Sequence, residues 1–205
     1  MARMITGFFD DDEAARNAVR DLEEAGISSS EMTLVANNAD DRWNSILLPR
    51  YGDTATGAAA GGGIGGVVGG GAGLLAGIGM LTIPGLGSVV AAGWLVSTAA
   101  GAATGAVAGG IIGLLVGAGI ASEHAQVYAE GIRRGGTLIV VRTNDDRAPA
   151  ARVALSRNGA VDPDQRSAYY HETGWAGFDD SAPPLTASEI DADRVRYTDR
   201  MHWLP

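Results

Sequence analysis

Between Thr54 and Ser122 the chain carries no charged residue, and within that block a small residue recurs at every fourth position in two separate runs. The first run is Gly57, Gly61, Gly65, Gly69, Gly73 and Gly77; the second is Gly93, Ser97, Gly101, Gly105, Gly109, Gly113 and Gly117. Glycine inside a helix costs roughly 1 kcal/mol relative to alanine, so a regular glycine pattern calls for a compensating contact. Residues four apart share a helical face. Each run therefore reads as a helix with a groove almost free of side chains, where a second backbone can approach closely. Between the runs lies IPGLG, in which Pro84 lacks an amide donor and Gly85 tolerates turn conformations. Folding back at Gly85 sets Gly77 opposite Gly93, Gly73 opposite Ser97 and Gly57 opposite Gly113, each pair equidistant from the turn. The expectation is an antiparallel glycine-zipper helical hairpin over residues 55–120, with Pro84 and Gly85 as its turn.

The other faces of the two arms carry Ile64, Val67, Leu74, Leu75, Ile111, Leu115 and similar residues, again without charge. An isolated hairpin of this kind exposes more apolar surface than soluble monomers carry. Further copies of the chain or lipid would resolve this. Arms of about 25 to 30 residues reach roughly 40 Å at ~1.5 Å per residue, longer than the ~30 Å hydrocarbon core of a bilayer. Against insertion, Asp53 and Glu123 lie nearest the ends of the block, many ladder neighbours are alanine, and the tip LTIPGLGS has no charged loop. Self-assembly into a homo-oligomer is the first reading, and a bilayer-inserted hairpin is the alternative.

The flanking segments follow soluble patterns. MITGFF fits a strand. DDDEAARNAVRDLEEAG fits a helix capped by one of Asp10, Asp11 and Asp12, with Ala14, Ala15, Ala18, Val19 and Leu22 on one face and a stop at Gly26. EMTLVAN fits a second strand. Beyond the block, Ser122 is placed to cap a helix through Arg134, GTLIVVRT is a β-branched strand, RAPAARVALSRNGA is a helix closed by Gly159, and AVDPDQ is a weak final strand. The fold class is thus α+β: a small layered βαβ-αβαβ domain, residues 1–54 and 121–166, with the hairpin inserted. Residues 167–205 form an acidic C-terminal arm, in which Thr186 and Glu189 make a capping box before a short helix. Its aromatic residues, Trp175, Phe178, Tyr197 and Trp203 among them, either stay loose or pack onto the domain or a neighbour.

A net charge of −9 argues against a phosphate-backbone binder, so no nucleic-acid partner is expected. The absence of cysteine excludes disulfides, a thiolate nucleophile and cysteine-ligated metal. Gly61, Gly63 and Gly66 match GxGxxG formally, but they sit inside an uncharged repeat with no acid near residue 86, so no dinucleotide site is expected. His124, His171 and His202 form no compact metal-ligand array, and the DDDE run lacks calcium-loop spacing. Arg133 and Arg134 suit a helix C-terminus. No cofactor, metal or catalytic residue is assigned, and an enzyme would need a site assembled between copies. The N-terminus does not follow the secretory signal pattern, and a cytoplasmic location, in contact with the cytoplasmic membrane under the alternative reading, is expected.

The stretches ITGFFDDDEAARNAVRDLEEAGISSSEMTLVAN and HAQVYAEGIRRGGTLIVVRT, separated by the glycine-rich block, resemble the bacterial general stress protein family related to heat-induced stress proteins. The resemblance spans about residues 4 to 165 and implies a stress-associated role; it carries over no catalytic residue. The long paired-glycine block and the aromatic arm depart from compact members of that family.

Overall fold

The computed structural model describes residues 3–39, 79–83, 85–94 and 110–201. The elements are β1 (Arg3–Phe9), α1 (Asp12–Glu24), a 3-10 turn (Ser29–Glu31), β2 (Met32–Asn37), β3 (Gly79–Ile83) and β4 (Gly87–Gly93). They continue as α2 (Gly110–Gly117), α3 (Ser122–Arg133), β5 (Thr137–Thr143), α4 (Ala148–Arg157), α5 (Pro163–Glu172) and α6 (Ala187–Met201). The class is α+β. The strands form one sheet of order β1-β5-β2-β4-β3 in which every neighbouring pair is antiparallel. β5 (TLIVVRT), buried except at Arg142, separates β1 from β2, so the first βαβ unit has no direct pairing between its own strands.

Strand alternation divides the core. Ile5, Phe9, Leu34, Ala36, Ile139 and Val141 pack with α1 and α4, whereas Phe8, Val35, Val89, Leu138 and Val140 pack with α2 and α3. The local signals for α1 hold: Asp11 accepts from the Ala14 amide, Ala15, Ala18, Val19 and Leu22 are buried, and Gly26 has φ +79°. At the end of α3, Gly135 has φ +91°, its N–H donates to Ile132 O, and the Gly136 N–H donates to Gly131 O. That is a Schellman turn, and it aims the chain directly into β5.

Three expectations are corrected. The middle of the glycine-rich block is a β-hairpin, and no helix continues through it: Gly93 ends strand β4 opposite Thr33, and Gly85 lies in a turn between strands. The fold-back point survives the correction, because every β3–β4 pair from Gly79↔Ala91 to Ile83↔Gly87 is equidistant from Gly85. At the turn the Leu86 N–H donates to Ile83 O, and Gly85 has φ +75°, as a type II turn requires at its third position. The physical reason lies in the ladder's own gap. From Gly79 to Gly93 the chain reads GMLTI and GSVVAAG, whose β-branched residues favour strand, and β2 offers a free edge with which β4 pairs.

The second correction concerns AVDPDQ, which makes only an isolated bridge between Val161 and Phe8. Asp162 caps the Asp164 and Gln165 amides, and Pro163 opens α5 at the position where a missing N–H costs nothing. In the third, Ser122 is the first residue of α3 and makes no cap; the N-cap is Ala121, with no side-chain hydrogen bond. Gly57, Gly61, Gly65, Gly69, Gly73, Gly77, Pro84, Ser97, Gly101, Gly105, Gly109 and Trp203 lie outside the described residues.

Candidate functional site

The C-terminal arm is seated on the domain, and its seat includes the buried charged side chains of Glu130 and Arg166. The boundary expected between residues 166 and 167 falls inside α5. Beyond it, α6 begins with the capping box read from the sequence: Thr186 N–H donates to the Glu189 carboxylate at 2.8 Å, and the Glu189 N–H donates to Thr186 Oγ1 at 3.4 Å. Because these bonds are local, the helix starts in the same place whatever it packs against. One face of α6, Ile190, Asp193, Arg194 and Tyr197, follows the i, i+3, i+4, i+7 spacing. Ile190 is buried, approaching the space over Gly135 that a side chain would fill. Arg194 donates to Gly135 O at 2.6 Å, and Asp193 accepts from Arg134 at 3.2 Å.

Two arginines organise the seat. Arg134, one residue past α3, pairs with the buried Glu130 carboxylate at 2.7 Å and lies over the Tyr170 ring at 4.5 Å. Burial opposes its charge, but the hydrogen bond and charge of Glu130, with Asp193, hold its pKa above the usual range. Arg166, on α5, is 5% exposed; it pairs with Asp10 and lies 3.9 Å from the Tyr197 ring centroid and 5.6 Å from that of Phe8. Burial again opposes the charge, and Tyr170 and Asp10 outweigh it, so Arg166 is held cationic. Tyr170 is fully buried, and burial pushes its phenol far above the ordinary range, with Arg166 and Arg134 opposing. Among the described residues its hydroxyl makes no hydrogen bond of good geometry. The ring is flanked by Trp175 edge-on at 5.6 Å. Tyr169 meets Tyr197 edge-on at 5.0 Å.

The connection from α5 to α6 covers the tip of the β-hairpin. Phe178 packs against the α2–α3 side of the core, and Asp179, Asp180 and Pro184 occupy the space that side chains at Gly85 and Gly87 would need. Arg133 donates to Pro183 O at 3.1 Å. Of the arm contacts expected from the sequence, the structure thus brings Trp175, Phe178 and Tyr197 onto the domain. It adds Asp10, Glu130, Arg134, Arg166, Tyr170 and Ile190, which no spacing rule singled out. Their signal is faint: Arg133–Arg134 follows Glu130 on the last turn of a helix, and two tyrosines follow Arg166 at helical distance.

Beside the seat, Glu123, Gln126, Ser167, His171, Trp175 and Gly177 line a recess of about 260 Å³. Trp175 O, a carbonyl, can only accept, so His171 Nδ1–H donates to it at 2.8 Å and leaves Nε2 as the acceptor of the neutral ring. His124 Nε2 instead meets Asp164 at 3.0 Å across the α3–α5 contact. Among the described residues no three His, Asp or Glu side chains come together as a metal-ligand set. The chemistry that this region offers is recognition of a helix by guanidinium and aromatic groups, residue types enriched at protein interfaces, with carboxylates pairing the arginines.

The ladder residues that are described lie elsewhere. Gly113 and Gly117 are exposed on α2, and a Cβ at either would meet none of the described residues within 4 Å, while Ile111 and Leu115 on the opposite face are buried. Among the described residues no helix is long and apolar enough to cross a membrane. Compared with family models, with curated proteins and with solved structures, the chain matches none.

Proposed function

We propose that this protein is a non-catalytic, stress-associated structural protein of the cytoplasm that self-assembles through its glycine-rich segment. The single observation that carries the reading is α2. Its large side chains Ile111 and Leu115 are spent on the protomer's own core, while the ladder positions Gly113 and Gly117 and the half-exposed Val116 face outward. An uncharged helix that turns its glycines outward leaves a surface on which a second backbone can lie at short range. The homo-oligomer supplies that second backbone as the same helix of another copy. The glycine-zipper pairing of the remaining ladder positions belongs to this proposal, with the zipper beginning outside the β-hairpin. The stress association rests on the family resemblance of the flanking α+β segments.

The test is the mass of the full-length particle, purified without detergent, for the wild type, Gly113→Ala and Gly113→Leu. Among the described residues nothing opposes a side chain at Gly113, so both variants are expected to fold. A soluble particle of many copies that Gly113→Leu reduces to smaller species supports the proposal. A wild-type chain that is monomeric at all concentrations, or one that sediments with membranes and resists carbonate extraction, refutes it; the second result selects the bilayer-inserted alternative.

A further inference from the structure

The seat beneath α6 has the chemistry of a helix-docking surface, and the arm that fills it is built as a separable ligand. The seat presents Arg134, Arg166, Tyr169 and Tyr170, and the arm answers with Ile190, Asp193 and Tyr197. Four properties of the arm matter. Its helix is started by its own Thr186–Glu189 box, so it stays capped when it leaves the seat. Its helix α6 is attached by one face, in the manner of a helix laid in a groove, while the connection before it is held through Trp175, Phe178 and Pro183. It is acidic, with six Asp and Glu against three Arg from Thr173 to Met201, which suits a seat centred on two arginines. It departs from α5 at Gly174, whose φ of +89° is a turn conformation that glycine adopts without strain.

We infer that the seat also accepts the arm helix of a second copy, so that neighbouring copies exchange their C-terminal arms. The contacts are identical in the closed and exchanged forms, because the same residues meet; what differs is which chain supplies the arm. A tethered arm competes with an effective concentration of roughly millimolar, which keeps a dilute protomer closed on itself. When copies are held together at similar distances, that advantage disappears and exchange links them. The inference thus concerns a contact separate from the glycine ladder, and it applies at high protein concentration even if the ladder assembles nothing.

The absence of cysteine makes the test clean. A Cβ at Gly135 would lie 3.6 Å from Ile190 Cβ, inside the range of about 3.5 to 4.5 Å that disulfides require. One chain carries Gly135→Cys only, a second of different mass carries Ile190→Cys only, and the two are mixed and oxidised from micromolar to millimolar concentration. A chain carrying both substitutions serves as the control for geometry. Exchange is expected to give a covalent heterodimer that dithiothreitol dissolves, in an amount that rises at least tenfold across the concentration range. If the control closes fully within itself while no heterodimer appears at any concentration, the inference is overturned. Should Gly135→Cys prevent folding, Tyr169→Cys and Tyr197→Cys, whose parent rings lie 5.0 Å apart, replace it with a short bismaleimide as linker. The same two outcomes then decide. Blue-native mobility of wild-type particles separately reports ladder assembly, so either reading can fail without the other.

Discussion

Gly131→Ala tests one of the close-packed contacts among the described residues. Gly131 is in the last turns of α3, where alanine would normally be favoured over glycine by roughly 1 kcal/mol. Here the added Cβ would lie 2.7 Å from Cε2 of Phe8, with Cζ closer still. Phe8 has nowhere to go: its ring is 3% exposed, stacks on Tyr128 at 6.2 Å, lies 5.6 Å from the Arg166 guanidinium, and also fills the space beside Gly136. Overpacking of this kind costs about 2 to 3 kcal/mol, so after the helix gain the net loss is about 1 to 2 kcal/mol. For a chain of this length that corresponds to a melting-point drop of about 2 to 8 °C, read by calorimetry or by circular dichroism at 222 nm. Phe8→Leu removes the colliding ring, so in that background Gly131→Ala should cost at least ~1 kcal/mol less, a coupling within the range of touching residues. An unchanged or raised melting point for Gly131→Ala, or strictly additive effects in the double variant, would refute the packing argument.

Other expectations follow from the same contacts. Gly113→Ala, on an open helical face, should leave the isolated protomer as stable or more stable by up to about 1 kcal/mol in chemical denaturation. Arg166→Met should cost roughly 3 kcal/mol, because it strands Asp10 beside a buried face and removes a cation held among three aromatic rings; urea titration measures this. Tyr170→Phe should be neutral or stabilising, since a fully buried hydroxyl without a hydrogen bond gives nothing back for its desolvation; a loss above about 1 kcal/mol would show that the hydroxyl has a partner. Glu31 has its pKa lowered, chiefly by the hydrogen bond from Arg147, which it meets through both carboxylate oxygens at 2.6 and 2.9 Å. With the folded pKa below the unfolded one, its contribution is complete above the ordinary glutamate pKa and disappears as the pH falls through the folded value. Arg147→Gln should therefore flatten the acid limb of the stability profile, and its difference from the wild type should shrink as the pH falls below the folded pKa of Glu31.

The local chemistry of the chain was legible where each signal stays within a few residues. Asp11 before α1, Gly159 after α4 and the Thr186–Glu189 box before α6 mark helix ends because their hydrogen bonds close over three or four positions. Gly85 was legible as the fold-back point for the same reason. The element on either side of it was misread, since the ladder spacing that suggested helix stops at Gly77 and resumes at Gly93, and the interval holds Ile83, Val89 and Val90. The seat was the least legible part. Arg166 and Asp10 are far apart in the chain, and nothing in either neighbourhood announces that they meet.

By itself, then, the sequence determined the α+β class, the ends of most helices, the place where the chain reverses and the cap of the arm helix, because those depend on bonds between near neighbours. Only the tertiary structure decided that β5 lies between β1 and β2, that the hairpin pairs with β2 as strands, and that the arm is seated on Arg134 and Arg166. Such choices are made by edges, faces and buried charges that meet only after the chain has folded, and their free energy depends on burial that no single segment possesses alone.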